Sequence, residues 1–207
     1  MVFQFPMLKT VVLILLFIID VNQADVTYIS DGRSVQHDAK NWMWSYKVFA
    51  HITVENWTKH PLVRPHLSLN RGRMLHAPSL VLSGKREMFI LRKIRDSATG
   101  TAGTVSWLVG FTKRRFVLMW STPFDFTYYS NWMGVGMTTK GHTEKNGRFD
   151  QMYYGSNDTI LLFNRGEFYY HENPVIYRDD EFEITGRMNK AHKALVTVTF
   201  RSVKKTG

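Results

Sequence analysis

The chain contains no cysteine among its 207 residues, which excludes both a disulfide framework and a cysteine-ligated metal site. A chain of this length can bury enough apolar surface to be stable without either. Internal repeats and low-complexity linkers are also absent from the sequence. These absences predict one compact domain that is stabilised by its hydrophobic core alone.

The sequence also lacks the motifs of the common enzyme classes. It contains no His-Glu-x-x-His, no Gly-x-Ser-x-Gly, and no glycine-rich loop that ends in Lys-Ser or Lys-Thr. Its eight histidines are dispersed, so we predict neither a metal site nor a cofactor. Asp125 and Asp150 could form an acid–base pair, but a carboxylate in an aromatic loop more often caps a turn. We therefore predict that the chain is not an enzyme.

The amino terminus has the pattern of a secretory signal peptide. The apolar run Val11–Ile19 follows a basic residue, and it is far shorter than the roughly 20 residues of a transmembrane helix. We predict residues 1–24 as the leader, with Ala24 as its last residue, and hence a secreted protein. Two Asn-x-Thr sequons, at Asn56 and Asn157, fit a secreted chain and are candidate glycosylation sites.

A helical pattern follows the leader. Within the polar segment 25–45, Val35, Ala39 and Trp42 fall on one face of an α-helix. An amphipathic helix packed on a sheet explains this spacing, and so does a helix that leaves the sheet to lie in a membrane interface. The spacing alone leaves both interpretations open.

Residues 46–207 predict many short strands separated by turns. Pro61 and Pro65 bracket a predicted irregular connection. Residues 143–154 could hold one short helix, which Gly147 weakens. Together these features predict a mainly β, single-domain β-sandwich. The predicted strands are residues 47–54, 79–82, 87–91, 104–109, 116–120, 159–163, 181–184 and 194–200.

One stretch is unusually aromatic. Five aromatic residues fall within the nine residues from Phe124 to Trp132. Polar residues interrupt them, and Pro123 cannot donate a hydrogen bond within a central strand. One interpretation is an aromatic-rich strand-turn-strand that fills a core. The other is a surface loop whose Tyr and Trp rings lie at a lipid headgroup interface or on a ligand.

The formal net charge of +10 limits the classes of partner that we expect for a secreted protein. Anionic or zwitterionic membranes, acidic glycans and nucleic acids all attract a basic surface. Alternatively, the charge serves only solubility. Because the basic residues are scattered and a secretory leader is predicted, a nucleic-acid partner is disfavoured.

Tyrosines and cations near the aromatic stretch could form a phosphocholine site. A quaternary ammonium is attracted to the π-faces of several aromatic rings, and hydroxyls and cations can meet the phosphate. Some of these tyrosines could instead be core residues. The tyrosines are Tyr128, Tyr129, Tyr153 and Tyr154, and the cations are Lys140, Lys145 and Arg148.

Three segments resemble the actinoporins, the small, basic, cysteine-free pore-forming toxins of sea anemones, which have relatives in predatory snails. Residues Ser121–Trp132 resemble the membrane-binding loop of that family, and Ala98–Gly103 resembles its Ala-Thr-Gly turn. Met152–Tyr154 falls at the spacing of its tyrosine pair. The resemblance implies a β-sandwich flanked by two short α-helices. It also implies a monomer in solution that becomes a homo-oligomer on a membrane.

The resemblance further implies site residues by position. The headgroup pocket would use Ala102, Ser121, Pro123, Tyr129, Tyr153 and Tyr154. The membrane-interface residues would be Tyr128, Trp132, Met133 and Phe149. The amino-terminal helix would line a cation pore in sphingomyelin-containing membranes. From their place on the polar face of this segment, we predict that Asp31 and Asp38 would favour cations in the lumen. Storage in a venom gland or nematocyst is also implied.

Several positions depart from the family pattern. Phe149 stands where the family has a pocket tyrosine, Ala102 stands for a valine, and Met133 replaces the second tryptophan of a pair. The family's Arg-Gly-Asp tripeptide is replaced by Gly155–Asp158. Residues 25–45 would extend about 31 Å as one helix, close to the roughly 30 Å thickness of a hydrocarbon core.

Two hypotheses follow from these observations. In the first, the chain is a secreted pore-forming cytolysin that docks through the aromatic loop and inserts residues 25–45. In the second, it is a secreted lipid- or glycan-binding module that uses the same pocket without forming a pore. The weak amphipathicity of segment 25–45 motivates the second hypothesis.

Overall fold

The computed structural model describes residues 46–142 and 147–203. These residues form eleven strands and one helix, α1. The elements are β1 (Phe49–Trp57), β2 (Leu62–Arg71), β3 (Arg73–His76), β4 (Lys85–Arg92), β5 (Thr101–Val109), β6 (Arg114–Thr122), β7 (Asn131–Thr138), α1 (Arg148–Tyr154), β8 (Leu161–Phe168), β9 (Val175–Arg178), β10 (Phe182–Met188) and β11 (Lys193–Ser202). No helix within this described part is long and apolar enough to cross a bilayer.

The strands form two sheets. One has six strands in the order β3-β4-β1-β11-β10-β9, and the other has five in the order β2-β5-β6-β7-β8. Strands β1 and β11 pair in parallel, and the other pairs are antiparallel. The predicted mainly β sandwich is therefore confirmed. Of the two predicted flanking helices, α1 is observed, and the amino-terminal one lies outside the described residues.

Two apolar clusters hold the domain together. The larger one lies between the sheets and includes Ile52, Trp107 and Phe200. The smaller one lies between the outer face of the five-stranded sheet and α1, and it includes Val117, Met119 and Met152. Because β6 contributes to both clusters, side chains on both of its faces are buried. This explains why its sequence is continuously apolar instead of alternating.

Most of the predicted strands are confirmed, and two segments differ from their prediction. Residues 79–82 were predicted as a strand, but they form only an isolated bridge between Val81 and Leu62. Residues 61–65 were predicted to be irregular, but β2 begins at Leu62. Pro65 is tolerated because β2 is an edge strand and its register shifts between Val63 and His66.

Strand β7 has no strong signal in the sequence because it contains Gly134 and Gly136. Glycine weakens a strand interior, but close packing requires both residues. A Cβ atom on Gly134 would lie 3.0 Å from the Cε atom of Met152 in α1. A Cβ atom on Gly136 would lie 2.3 Å from the carbonyl oxygen of Leu162. These glycines bring α1 and β8 close to β7.

The predicted leader (residues 1–24) and segment 25–45 lie outside the described residues. The same applies to Asp31 and Asp38, the predicted lumen residues, and to Lys145.

Candidate functional site

A cleft opens at one end of the five-stranded sheet, where three strands meet in register. Arg71 at the end of β2 pairs with Ala102 of β5, and Ala102 pairs with Ser121 of β6. Helix α1 packs over the outer face of these strands through Phe149 and Met152. The cleft therefore lies between the strand ends, the helix and the loop that follows β6.

The cleft has a volume of about 440 Å³, which falls within the size range of small-molecule sites. All six residues of the predicted headgroup pocket line it: Ala102, Ser121, Pro123, Tyr129, Tyr153 and Tyr154. Its other lining residues are Asn70, Arg71, Ala98, Thr99, Gly100, Thr101, Thr122, Phe124, Asp125, Phe149 and Asp150. The fold thus brings these six residues together from β5, β6, the loop after β6 and α1.

Gly100 allows one wall of the cleft to form. A Cβ atom at this position would lie 1.8 Å from the carbonyl oxygen of Thr122 and 2.8 Å from the Cα atom of Pro123. No side chain fits into that space. The Ala-Thr-Gly turn therefore needs its glycine so that the end of β6, with Ser121 and Pro123, can approach the start of β5.

Tyr153 is the centre of the aromatic wall. Its ring stacks on Phe149 at a centroid distance of 5.2 Å and an interplanar angle of 17°. The ring of Tyr154 meets it edge-on at 4.7 Å, and the ring of Trp132 lies 5.6 Å away. The rings of Phe149, Tyr153 and Tyr154 thus line the cleft together, and such an arrangement attracts an organic cation.

The hydroxyl of Tyr153 can act as a hydrogen-bond donor in the cleft. Burial is the largest cause that raises the pKa of Tyr153, and the neighbouring Tyr154 raises it further, whereas a hydrogen bond with Ser121 lowers it. The net shift is upward. The phenol therefore stays protonated at physiological pH and can donate to an anionic oxygen.

Arg71 is the one cationic side chain among the described residues that line the cleft. The local sequence does not predict its place in the cleft, because β2 has no clear strand pattern and the pairing of Arg71 with Ala102 is long-range. The cations that were predicted lie elsewhere. Arg148 is buried in α1, and Lys140 lines a second cavity with Lys59 and Phe111.

The second cavity lies at the other end of the five-stranded sheet. Phe111 lies two residues beyond Val109, the far end of β5, whereas Thr101 at the near end lines the cleft. Nine strand residues separate these ends, which corresponds to about 27 Å. Lys140 is therefore too far away to meet a ligand in the cleft, and its prediction as a cleft cation is wrong.

The aromatic stretch is a surface loop of residues 123–130 between β6 and β7. Asp125 Oδ1 accepts a hydrogen bond of 2.8 Å from the backbone N–H of Thr127. This bond is the main reason why the pKa of Asp125 is lowered. Asp125 caps a turn, as predicted.

The loop carries its rings at different depths. Tyr128 and Tyr129 are 79% and 62% exposed, and Tyr154 of α1 is 74% exposed beside them. Trp132 is half-buried at the start of β7. Phe124 lies inward, with Lys47 Nζ 3.9 Å from its ring centroid. The outermost rings are tyrosines, whose polar tips suit a wet interface.

Two predicted interface residues are wrong. Met133 is fully buried, and a Cβ atom on Gly186 of the opposite sheet would lie 2.6 Å from its Cε atom. Strand alternation explains this, because Trp132 points outward and the next residue must point inward. Phe149 is also buried, since it packs under Tyr153 and forms the floor of the cleft.

The candidate glycosylation site at Asn56 is also contradicted. Asn56 is fully buried, and its Nδ2 donates to the carbonyl oxygens of His60 and Val81 at 2.8 and 3.0 Å. Its Oδ1 accepts from the backbone and hydroxyl of Thr58. A glycan cannot be attached to this side chain in the folded state. Asn157 is exposed and stays a prediction.

Comparison with known proteins places this geometry in a family. The family described as sea anemone cytotoxic protein matches residues 73–200. The chain belongs to this family, which is that of the actinoporins. The resemblance found in residues 98–154 is thereby confirmed.

Three individual relatives match most of the chain. The chain is 50% identical to Tereporin-Ca1 of Terebra anilis over 77% of this chain and 87% of that protein. It is 42% identical to Echotoxin-2 of Monoplex parthenopeus over 77% of this chain and 59% of the relative. It is 38% identical to Conoporin-Cn1 of Conus consors over 76% and 64%, respectively.

Solved structures support the fold. The crystal structure of the lipid binding protein Nakanori superposes with a TM-score of 0.60 at 17% identity, covering 87% of this chain and 92% of that one. At this identity the likeness concerns the sandwich alone. Membership of the actinoporin family confirms two predictions: the protein is a pore-forming cytolysin, and it is not an enzyme.

Proposed function

We propose that this actinoporin is a secreted toxin that docks on phosphocholine headgroups, those of sphingomyelin above all, and then assembles into a cation-permeable pore. The observation that carries the proposal is the cleft, in which six residues predicted as a headgroup pocket surround one volume. Tyrosine rings and one arginine line this volume together. The rings suit the positively charged ammonium group of phosphocholine, and the arginine suits its negatively charged phosphate.

The trimethylammonium group would lie among the rings of Tyr129, Tyr153 and Tyr154. Phe149 is stacked against Tyr153 and supports it from below, so the loss of a hydroxyl at this position leaves the aromatic surface intact. The carboxylates of Asp125 and Asp150 also line the cleft and favour a cationic group there.

The phosphate would be held by Arg71 and by hydroxyl groups. A guanidinium donates two parallel hydrogen bonds to phosphate oxygens. Ser121 and the neutral phenol of Tyr153 lie in the same cleft and can donate as well. The phosphate therefore lies towards the strand ends, and the ammonium group lies towards α1 and the loop.

Docking would place the loop against the bilayer. Tyr128 and Tyr129 are the exposed rings of the loop, and tyrosine is enriched at membrane interfaces. The net charge of +10 adds a general attraction to anionic surfaces, which salt screens. Binding should therefore weaken, without vanishing, as ionic strength rises.

Pore formation would use the segment before the sandwich. Monomers from solution would form a homo-oligomer on the target membrane and insert residues 25–45 as a helix. Asp31 and Asp38 would face the lumen and favour cations. In the producing animal, the toxin would be stored in a venom gland or nematocyst.

Paired binding and dye-release assays on vesicles test the proposal. Phosphatidylcholine vesicles with and without sphingomyelin would be compared, and we expect binding and release to be stronger on the former. Free phosphocholine should compete for binding. Tyr154→Ala should weaken binding, whereas Trp57→Ala, which removes an exposed ring at the far end of β1, should not. Equal binding to vesicles of any headgroup would overturn the headgroup claim.

Removing residues 25–41 separates docking from insertion. The truncated protein should bind vesicles like the full chain but release no dye. The alternative is a non-lytic lipid- or glycan-binding module, and under it truncation would change neither property.

A further inference from the structure

A second pair of exposed tyrosines lies in the loop of residues 169–174 between β8 and β9. Tyr169 is 45% exposed and Tyr170 is 85% exposed. Their ring centroids lie 4.6 Å apart at an interplanar angle of 86°. This edge-to-face geometry is close to that of Tyr153 and Tyr154 in the cleft wall, at 4.7 Å and 74°.

The strand register places this pair beside the aromatic loop. Phe168, the last residue of β8, pairs with Asn131, the first residue of β7. Tyr169 and Tyr170 follow immediately after Phe168, and the aromatic loop ends immediately before Asn131. The two loops therefore extend from neighbouring strands at the same end of the sheet.

A third loop, residues 189–192 between β10 and β11, links the other two. Asn131 is fully buried, and its Nδ2 donates to the carbonyl oxygens of Asn189 and Ala191 at 3.0 and 2.9 Å. The backbone N–H of Lys190 donates to Glu172 Oε1 at 3.0 Å. The loop of the tyrosine pair is thus tied to the same turn that holds the aromatic loop.

Exposed tyrosines are common on protein surfaces and often have no function. Here, however, two adjacent rings contact each other at the end of the domain that already carries Tyr128 and Tyr129. A tyrosine with an apolar body and a polar tip suits a headgroup layer better than bulk water. The exposed Lys190 lies at the same end of the domain. The carboxylate of Glu172 accepts a hydrogen bond from the backbone N–H of Lys190.

We propose that Tyr169 and Tyr170 form a second membrane contact, which lies in the headgroup layer beside the aromatic loop. This proposal rests on the proposed function, because it requires that the aromatic loop faces a bilayer. It extends the docking surface from the headgroup cleft to the β8 edge of the sheet. Two separated contacts would also fix the tilt of the domain on the membrane.

Single-cysteine labelling can test this contact, since the chain has no cysteine of its own. Tyr170→Cys would carry an environment-sensitive fluorophore. Tyr128→Cys would report on the aromatic loop, and Phe111→Cys at the far end of the sandwich would be the control. On phosphatidylcholine–sphingomyelin vesicles, we expect blue-shifted, enhanced emission from the labels at positions 170 and 128, and none from position 111.

A binding assay with unlabelled protein completes the test. The double variant Y169S/Y170S should partition about tenfold less onto these vesicles, as expected if roughly 60 Å² of ring surface stays in water. Y169W/Y170W should restore the partition, because tryptophan also suits the interface. Unfolding temperatures should match the wild type, since both side chains are largely exposed.

The outcomes separate the two proposals. If the label at position 128 responds and the label at 170 does not, and Y169S/Y170S binds like the wild type, the second contact is wrong and headgroup docking stands. If neither label responds and the wild type does not bind, the proposed function fails, and the second contact fails with it.

Discussion

The imidazole Nε2 of His192 lies 2.9 Å from the carbonyl oxygen of Phe124. The same ring lies 4.2 Å from the ring of Phe126, measured between centroids. One side chain of the β10–β11 turn therefore holds two residues of the aromatic loop. We expect His192→Ala to lower vesicle affinity about three- to tenfold, because the loop would have to be ordered on binding. Equilibrium partition onto phosphatidylcholine–sphingomyelin vesicles measures this.

His76 provides the matched control. Its Nδ1 makes a comparable contact of 3.0 Å with the carbonyl oxygen of Met88, but on the edge strand β3. His76→Ala should leave vesicle affinity unchanged, and each variant should lose about 1 kcal/mol of stability at most. Equal losses of affinity in both variants would show that His192 has no specific role in positioning the loop.

Arg71 should carry the phosphate contact. Arg71→Ala should weaken binding to phosphocholine vesicles about tenfold, because the charge-assisted hydrogen bonds to the phosphate are lost at an exposed site. Arg71→Lys should recover only part of this loss, because an ammonium group cannot donate in the two-pronged geometry of a guanidinium. Surface plasmon resonance on immobilised vesicles can rank the three proteins.

Arg73 controls for charge alone. It lies two residues further along the chain, is exposed, and does not line the cleft. Arg73→Ala removes the same formal charge, so it should reduce only the salt-dependent part of binding. Identical effects of the two substitutions at every salt concentration would contradict a specific phosphate contact.

Family motifs and local patterns predicted much of the cleft from the sequence. The six pocket residues belong to short, contiguous strings, and strands that alternate strongly, such as β11, can be predicted from the order of apolar and polar residues. Arg71 could not be found in this way. It enters the cleft through the pairing of β2 with β5, across about 30 residues of chain, and Pro65 obscures β2 itself.

The wrong interface residues have a different origin. Met133 is adjacent to Trp132 in the sequence, but strand alternation sends the two side chains to opposite faces of β7. The glycines of β7 concealed the strand, so no alternation could be predicted there. Phe149 was misplaced because the position of α1 over the sheet depends on tertiary packing against Met119 and Gly134.

Asn56 should be structural and unglycosylated. Asn56→Ala should destabilise the fold by about 2–4 kcal/mol, because it removes the buried hydrogen bonds to His60 and Val81 and leaves the buried backbone N–H of Thr58 without its acceptor. Urea unfolding followed by tryptophan fluorescence measures the loss. Asn157→Ala at the exposed sequon should cost about 1 kcal/mol or less.

Mass spectrometry of folded protein secreted from eukaryotic cells tests the glycan directly. Peptides that contain Asn56 should be unmodified, since the side chain has no access to solvent. A glycopeptide at Asn56 in protein that still releases vesicle contents would show that the buried position is wrong.

Tyr177 should make stability sensitive to alkaline pH. Its pKa is raised from 10.0 to about 12, chiefly by burial and further by the adjacent Asp179. The Tyr177 hydroxyl also donates to Asp179 Oδ2 at 3.2 Å, and Arg114 pairs with the same carboxylate. Because the pKa is higher in the folded state, the full stability is present below about pH 10 and is lost as pH rises through about 12.

Tyr177→Phe removes this titration. Between pH 9 and pH 12 the wild type should lose about 1–2 kcal/mol more than the variant, after allowance for solvent screening. The variant should be less stable by about 1 kcal/mol at neutral pH, because it lacks the hydrogen bond to Asp179. Tyr170→Phe removes an exposed phenol instead and should follow the wild-type profile. If urea unfolding gave parallel profiles for the wild type and Tyr177→Phe, the phenol of Tyr177 would have no coupling to folding.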